Sequence, residues 1–291
     1  MVLPSSTGVI GRRLPMDIIT DGCKTLKQDF GNTAHHVENF AKSIMTTDTR
    51  RKLISAKVGG ATILGIAKGA GMIEPNMATM LCYFMTDADI SSSQLQPMLG
   101  RVVNQTFNRI SVDTDTSTSD TVVMLSNGLA GSVNPDEFET ILLEMAIYLA
   151  KEIARDGEGA TKLIELVVSG AQTEEQALLT AKTVINSPLV KTAIYGADPN
   201  WGRFVMAIGK VFQYSVNIAD LRIFFGEGNN RLRIDAEILD RDEVPLKEIS
   251  KILKSKKVHI EIVLGNGSFS ERVWGCDLTE EYVRENAHYT T

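Results

Sequence analysis

Gly65-Ile-Ala-Lys-Gly-Ala-Gly-Met-Ile-Glu-Pro-Asn-Met-Ala-Thr79 runs directly into Met80-Leu-Cys-Tyr-Phe-Met85. Glycines at 65, 69 and 71 predict a flexible loop, Pro75-Asn76 a turn, and the apolar run a buried strand. Ala78 and Thr79 then stand at the mouth of that strand. A phosphate-cradling loop is excluded, because no Gly-Lys-Ser/Thr follows the glycines at the required spacing. In most proteins such a segment is a glycine-rich turn and nothing more. Thr79 allows a second reading. A threonine hydroxyl is a poor nucleophile until a base takes its proton, and a free α-amino group on the same residue, with a pKa of about 8, can serve. Making that amine requires breaking the Ala78–Thr79 peptide by attack of the Thr79 hydroxyl on its own upstream carbonyl. A small preceding side chain and a permissive loop suit that rearrangement.

Outward from this segment, composition narrows the class. With 291 residues, 43% of them hydrophobic, the chain can bury one large or two modest cores. Thirty basic against 36 acidic residues leave a net charge of −6 with no basic block, which argues against nucleic-acid and anionic-membrane partners. Cys23, Cys82 and Cys276 are odd in number and far apart, so neither a disulfide framework nor a zinc site is expected. The four histidines, at 35, 36, 259 and 288, lack metal-ligand spacing. No run approaches the length of a membrane span and the first residues lack the pattern of a targeting segment, so the expectation is a soluble intracellular protein.

Periodicity predicts helices over Ala34–Ile44, with Thr33 as N-cap, over Leu95–Phe107, from Pro135 to about Ile153, and from Glu174 to about Ile185. Short apolar runs predict strands at Met80–Met85, Leu163–Val168, Leu221–Phe225, Arg231–Ile238, Val258–Leu264 and Phe269–Trp274. Gly226-Glu-Gly-Asn-Asn and Gly265-Asn-Gly read as turns. The pattern is mixed α/β with a strand-rich final third, and the domains are set at 1–165 and 166–291.

Lys68-Gly-Ala-Gly-Met-Ile-Glu-Pro-Asn-Met-Ala-Thr-Met-Leu81 resembles the self-cleavage motif of the ornithine acetyltransferase (glutamate N-acetyltransferase) family. Four more segments resemble that family in the same order: Ser6-Thr-Gly-Val-Ile-Gly11, Met45-Thr-Thr-Asp48, Asp156-Gly-Glu-Gly-Ala-Thr-Lys162 and Asp198-Pro-Asn-Trp-Gly-Arg203. The ending Asn286-Ala-His-Tyr-Thr-Thr291 does so too. The resemblance implies a four-layer α/β/β/α sandwich of the self-processing N-terminal-nucleophile type plus a smaller C-terminal α/β domain. It implies a cut between Ala78 and Thr79, Thr79 as nucleophile, and Thr7 with Gly8 as the oxyanion hole. It also implies substrate contacts from Thr79, from one of Thr46 and Thr47 (Thr46 is favoured), and from Lys68, Glu158, Asn286 and Thr291.

The implied reaction moves the acetyl group of N-acetylornithine to glutamate, releasing ornithine, within arginine biosynthesis in the cytoplasm. No metal or organic cofactor is implied; some family members accept acetyl-CoA as co-substrate, and no residue here decides that point. Two α and two β fragments are the implied assembly. Family members run to about 400 residues, so strands ahead of Met1 are expected to be missing and residues 1–291 alone to be poorly soluble. A related self-processing aminopeptidase is the alternative activity. Asp113-Thr-Asp-Thr-Ser-Thr-Ser-Asp120 has the alternating acids of a calcium loop but not its glycine and glutamate, and it echoes the Asp-x-Asp-x-Thr of aspartyl-phosphate hydrolases. The family has glycine and asparagine where this chain has Thr114 and Ser119, and the stretch is assigned a structural role.

Overall fold

The computed structural model describes residues 4–74, 80–241 and 243–288. Two helices, α1 (Met16–Thr25) and α2 (Ala34–Ser43), precede a four-stranded sheet. Its strands are β1 (Lys52–Val58), β2 (Ala61–Lys68), β3 (Leu81–Ala88) and β5 (Thr121–Gly131), side by side in that order. The first three run antiparallel, and β5 lies parallel to β3 with Leu81 opposite Thr121. Between β3 and β5 come α3 (Ser92–Gln105) and the short β4 (Ile110–Ser111). After β5, α4 (Pro135–Arg155) leads to β6 (Leu163–Ala171), α5 (Glu174–Ile185), α6 (Pro188–Gly196) and α7 (Gly202–Ile208). The chain continues through β7 (Arg222–Phe225), β8 (Leu232–Ile234), α8 (Ala236–Asp240), α9 (Leu246–Leu253), β9 (Lys257–Val263), β10 (Phe269–Cys276) and α10 (Glu280–His288). The second sheet has six strands in the order β4-β10-β6-β9-β7-β8.

The strongest helices carry their own start signals. Asn134 caps α4 by accepting from the amides of Asp136 and Glu137, Pro135 fills the first turn, and Asp136 and Glu137 suit the positive end of the helix dipole. Thr173 caps α5 through the Gln176 amide. The α4 stripe of Phe138, Leu142, Met145, Leu149 and Ile153 is buried against β1 and β2, and α4 also meets β10 and β6 of the second sheet. One apolar cluster joins α3, α4 and the first sheet; a second joins β6, β7 and β9 to α5, α7 and α9. The mixed α/β class and the sandwich of helices on two sheets are thus what the structure shows. Cys82 is fully buried, and burial alone pushes its thiol well above the usual range.

Two local expectations need correcting, and a third, Thr33 as N-cap, holds in position alone. Gly65 is not loop but the middle of β2, opposite Phe84; a Cβ there would come within 2.9 Å of the Phe84 ring and 3.1 Å of Leu149. Close packing demands that glycine. The expected strand Arg231–Ile238 ends at Ile234, because the Asp235 carboxylate accepts from the Ile238 amide and starts α8 instead. Thr33 stands at the N-cap of α2 without capping it through its side chain; the hydroxyl bonds His36 Nδ1 at 2.8 Å.

Candidate functional site

Three loops meet where β2 ends, and one buried ion triad ties them. Lys52, at the start of β1, is 1% exposed, and its ammonium lies 2.6 Å from Asp48 Oδ1 and 2.5 Å from Asp156 Oδ2. Asp48 also accepts from the Gly69 amide at 2.7 Å and the Thr46 amide at 3.1 Å. Asp156 also accepts from the Thr49 amide at 3.1 Å and Arg50 Nε at 3.2 Å. The triad therefore fixes the backbone at Thr46, at Gly69, and at the turn that leads to Glu158. Burial would raise the Asp48 pKa; Lys52 and the two amides outweigh it and hold that carboxyl below its usual value.

Lys68 ends β2 and is 2% exposed. Burial lowers its pKa, opposed by the fields of Asp48, Asp120 and Glu158. Among the described residues no carboxylate lies within 4 Å of its ammonium. Glu158 follows the turn after α4, where its amide donates to Ala70 O at 2.8 Å. Asn286 of α10 donates to Glu158 Oε2 at 2.8 Å. The helix reaches that position by packing on Gly159, at φ +64°, so closely that a Cβ would lie 2.3 Å from the Tyr282 nitrogen.

These residues line a single cavity of 390 Å³, within the size range of small-molecule sites. Thr7 and Gly8 form one wall, Thr46 and Thr47 another; Lys68, Gly71, Glu158 and Asn286 complete the polar lining. Ser117, Thr118 and Ser119 close the remaining side. Of the residues singled out in the sequence, Ala78, Thr79 and Thr291 lie outside the described residues. Another hollow, lined in part by Gln105, Ser270, Glu271, Arg272 and Trp274, contains none of the residues singled out in the sequence, and its Glu271 carboxylate is held by Arg109.

The acidic stretch has the structural role assigned to it, through partners the sequence did not name. Asp113 accepts from the amides of Met72 and Ile73, at 2.6 and 2.8 Å, and Asp115 O accepts from the Glu74 amide at 3.1 Å. Asp120 Oδ1 accepts from the Met80 amide, and the Thr121 amide donates to Met80 O at 2.9 Å. The stretch thus grips the backbone on both sides of residues 75–79. Burial pushes Asp113 above the usual carboxylate range against these bonds, and pushes Asp120 up to about 7. A second unanticipated cluster, Glu165, Glu227 and His259, has ligand atoms within 4.8 Å of one another. Lys151, Lys257 and Arg272 also crowd Glu165, at 3.1, 3.5 and 3.4 Å, which makes the group an ion-pair network.

No helix among the described residues is long and apolar enough to cross a membrane. The chain is 48% identical to the arginine biosynthesis bifunctional protein ArgJ 2 of Clostridium acetobutylicum, over 99% of its own length and 73% of the relative's. It is 47% identical to the glutamate N-acetyltransferase Oat2 of Streptomyces clavuligerus, over 100% and 73% of the two chains. A glutamate N-acetyltransferase of Methanocaldococcus jannaschii is also 47% identical, over 100% and 75%. The crystal structure of the arginine biosynthesis bifunctional protein ArgJ from Bacillus halodurans superposes with a TM-score of 0.60 at 40% identity, covering 70% of this chain and 96% of that one. The ArgJ family model matches residues 1–291, and the chain belongs to the ArgJ family.

Proposed function

We propose that this chain is a glutamate N-acetyltransferase of arginine biosynthesis that cuts itself before Thr79 and carries the acetyl group of N-acetylornithine to glutamate on the freed threonine. One observation carries the reading. A buried cation, Lys68, and a carboxylate, Glu158, share one cavity with Thr7 and Gly8, at the end of the sheet where Met80 enters β3. An amino acid carries a carboxylate and an ammonium, and these two side chains complement both.

In the proposed first step the Thr79 hydroxyl oxygen attacks the acetyl carbonyl while the α-amine takes the hydroxyl proton. The oxyanion is held by Thr7 and Gly8, placed where charge develops. The carbon–nitrogen bond then breaks, and ornithine leaves with the proton from the α-amine. Glutamate's amine attacks the acetyl ester, Thr79 departs as the leaving oxygen, and its hydroxyl is restored. The protein works in the cytoplasm without a metal or organic cofactor, its fragments pairing as two α and two β; acetyl-CoA use is decided by assay.

Intact mass of the purified protein tests the cut. Fragments 1–78 and 79–291 are expected, and incubation with N-acetylornithine alone should leave one acetyl group on the second. Uncut protein sinks the reading; cut protein that only hydrolyses amides would be the related aminopeptidase.

Gly71→Ala tests the ammonium end of the cavity. A Cβ there would lie 2.2 Å from the Glu158 carboxyl, so the side chain must swing away and lose Asn286. A charge-assisted contact contributes about 1.5–3 kcal/mol, so KM for glutamate should rise roughly 10- to 100-fold while cleavage proceeds. An unchanged KM would remove Glu158 from the substrate.

A further inference from the structure

The two amino acids that exchange the acetyl group in the proposed reaction are alike at one end and opposite at the other. Each has an α-carboxylate and an α-nitrogen, but the ornithine side chain ends in an ammonium and the glutamate side chain in a carboxylate. Both must visit the same cavity in turn, because the acetyl group waits there between them. Among the described residues that line it, only Lys68 and Glu158 are charged. The segments 1–3, 75–79 and 289–291, outside the described residues, contain no Asp, Glu, Lys, Arg or His. A side-chain end seated on Lys68 would favour glutamate and repel ornithine, and one seated on Glu158 would do the reverse. The part of the cavity that takes both must therefore be uncharged and able to donate as well as accept, which a hydroxyl does.

The wall Ser117-Thr118-Ser119 meets those terms. Ser117 Oγ accepts from the Ser119 amide at 3.2 Å, and the Thr121 hydroxyl donates to Ser119 O at 3.1 Å, so local bonds fix the backbone. Asp113 and Asp120 pin the two ends of the stretch to the amides of Met72, Ile73 and Met80. The Thr118 and Ser119 hydroxyls themselves make no hydrogen bond among the described residues. Other neutral groups of the cavity are engaged elsewhere. Thr7 faces the oxyanion in the proposed reaction, and the Asn286 amide donates to Glu158 and to Tyr282 O. Thr46 is tied through Asp48 to Gly69, the neighbour of Lys68, which puts the threonine pair at the α-carboxylate end. Thr118 is exposed and Ser119 half-buried, so a charged end of either sign keeps part of its water there.

We propose that the hydroxyls of Thr118 and Ser119 receive the side-chain ends of both substrates, accepting from the ornithine ammonium and donating to the glutamate carboxylate. The assignment rests on the proposed acetyl exchange and deepens it by naming what selects the two partners. No bond forms or breaks at these residues. Each hydroxyl proton turns by rotation about one C–O bond, so the same wall serves both half-reactions without moving the backbone. A neutral hydroxyl also holds either charge less tightly than an ion pair would, which lets ornithine leave before glutamate enters.

Thr118→Asp and Thr118→Lys test the wall by giving it a sign. Thr118→Asp should raise kcat/KM for N-acetylornithine relative to that for glutamate by about 10-fold. Thr118→Lys should move the same ratio about 10-fold the other way, and added salt should shrink both shifts. A purely structural wall would weaken both substrates together in either variant. Equal changes for the two substrates, or an unmoved ratio, would therefore overturn the proposal. Should the Thr118 variants fail to fold or cut, Ser119→Asp and Ser119→Lys make the same comparison, with the same readings. Failure of the acetyl-exchange reading looks different, as wild-type protein that is uncut or takes up no acetyl group from N-acetylornithine.

Discussion

Lys52→Met should lower stability by about 3–5 kcal/mol, a fall in Tm of roughly 10 °C for a chain of this size. The methionine matches the lysine stem in length, so the loss comes from charge and not from volume. It leaves Asp48 and Asp156, each buried to 99% or more at the side chain, facing each other without the ammonium between them. In the wild type the depressed Asp48 pKa contributes stability that is present above its unfolded value, near 3.8, and lost as pH falls through the lower folded value. Without Lys52 the sign reverses. The Asp48 carboxyl, left with the burial that raises it, is then pushed up, and the penalty present near neutrality is relieved as pH falls toward 5. Melting curves of both proteins from pH 7 to pH 5 should therefore converge. Parallel curves would show that the triad is not an ionic device.

Thr79→Ala should remain one 291-residue chain and lose acetyl transfer by at least about 10⁴-fold, because it removes nucleophile and base at once. Thr79→Ser supplies both groups and should still cut. Gel analysis and an assay of acetylglutamate formation read the two effects separately. Transfer within tenfold of wild type by an uncut Thr79→Ala protein would move the nucleophile elsewhere in the cavity.

Much of the fold was legible where amphipathic stripes came with their own caps. Phe138, Leu142 and Leu149 lie one or two helical turns apart behind Asn134-Pro135, so α4 followed from local rules. The sheet edges were not legible. In β5, Leu125 and Leu129 stay exposed, so no buried apolar run marks it. β2 was hidden by Gly65, whose lack of a side chain serves the Phe84 ring and not a turn. The site divides in the same way. Thr7, Thr46, Lys68, Glu158 and Asn286 stood out in short motifs, and the structure places all of them in one cavity. Lys52 carried no signal, and the stretch Asp113–Asp120 showed a structural role but not its partners, because each acts at a distance in sequence: Lys52 on a carboxylate 104 positions away, and the two aspartates on amides about 40 positions away. Only the folded chain brings such pairs together.

The pairing of β2 with β3 has a consequence for the life history of the protein. These strands run from Ile63 opposite Thr86 to Lys68 opposite Leu81, with residues 75–79 in the connection between them. A break before Thr79 would convert this hairpin into a ladder between separate polypeptides, with β1 and β2 on one and β3 and β5 on the other. The intact chain folds by a first-order process whose rate is independent of dilution. Nicked protein, once denatured, would have to find its other half, so recovery becomes second order and fades as the solution is diluted. The single chain is then a template used once, and heat damage to the mature molecule, reversible before the cut, becomes a matter of concentration after it.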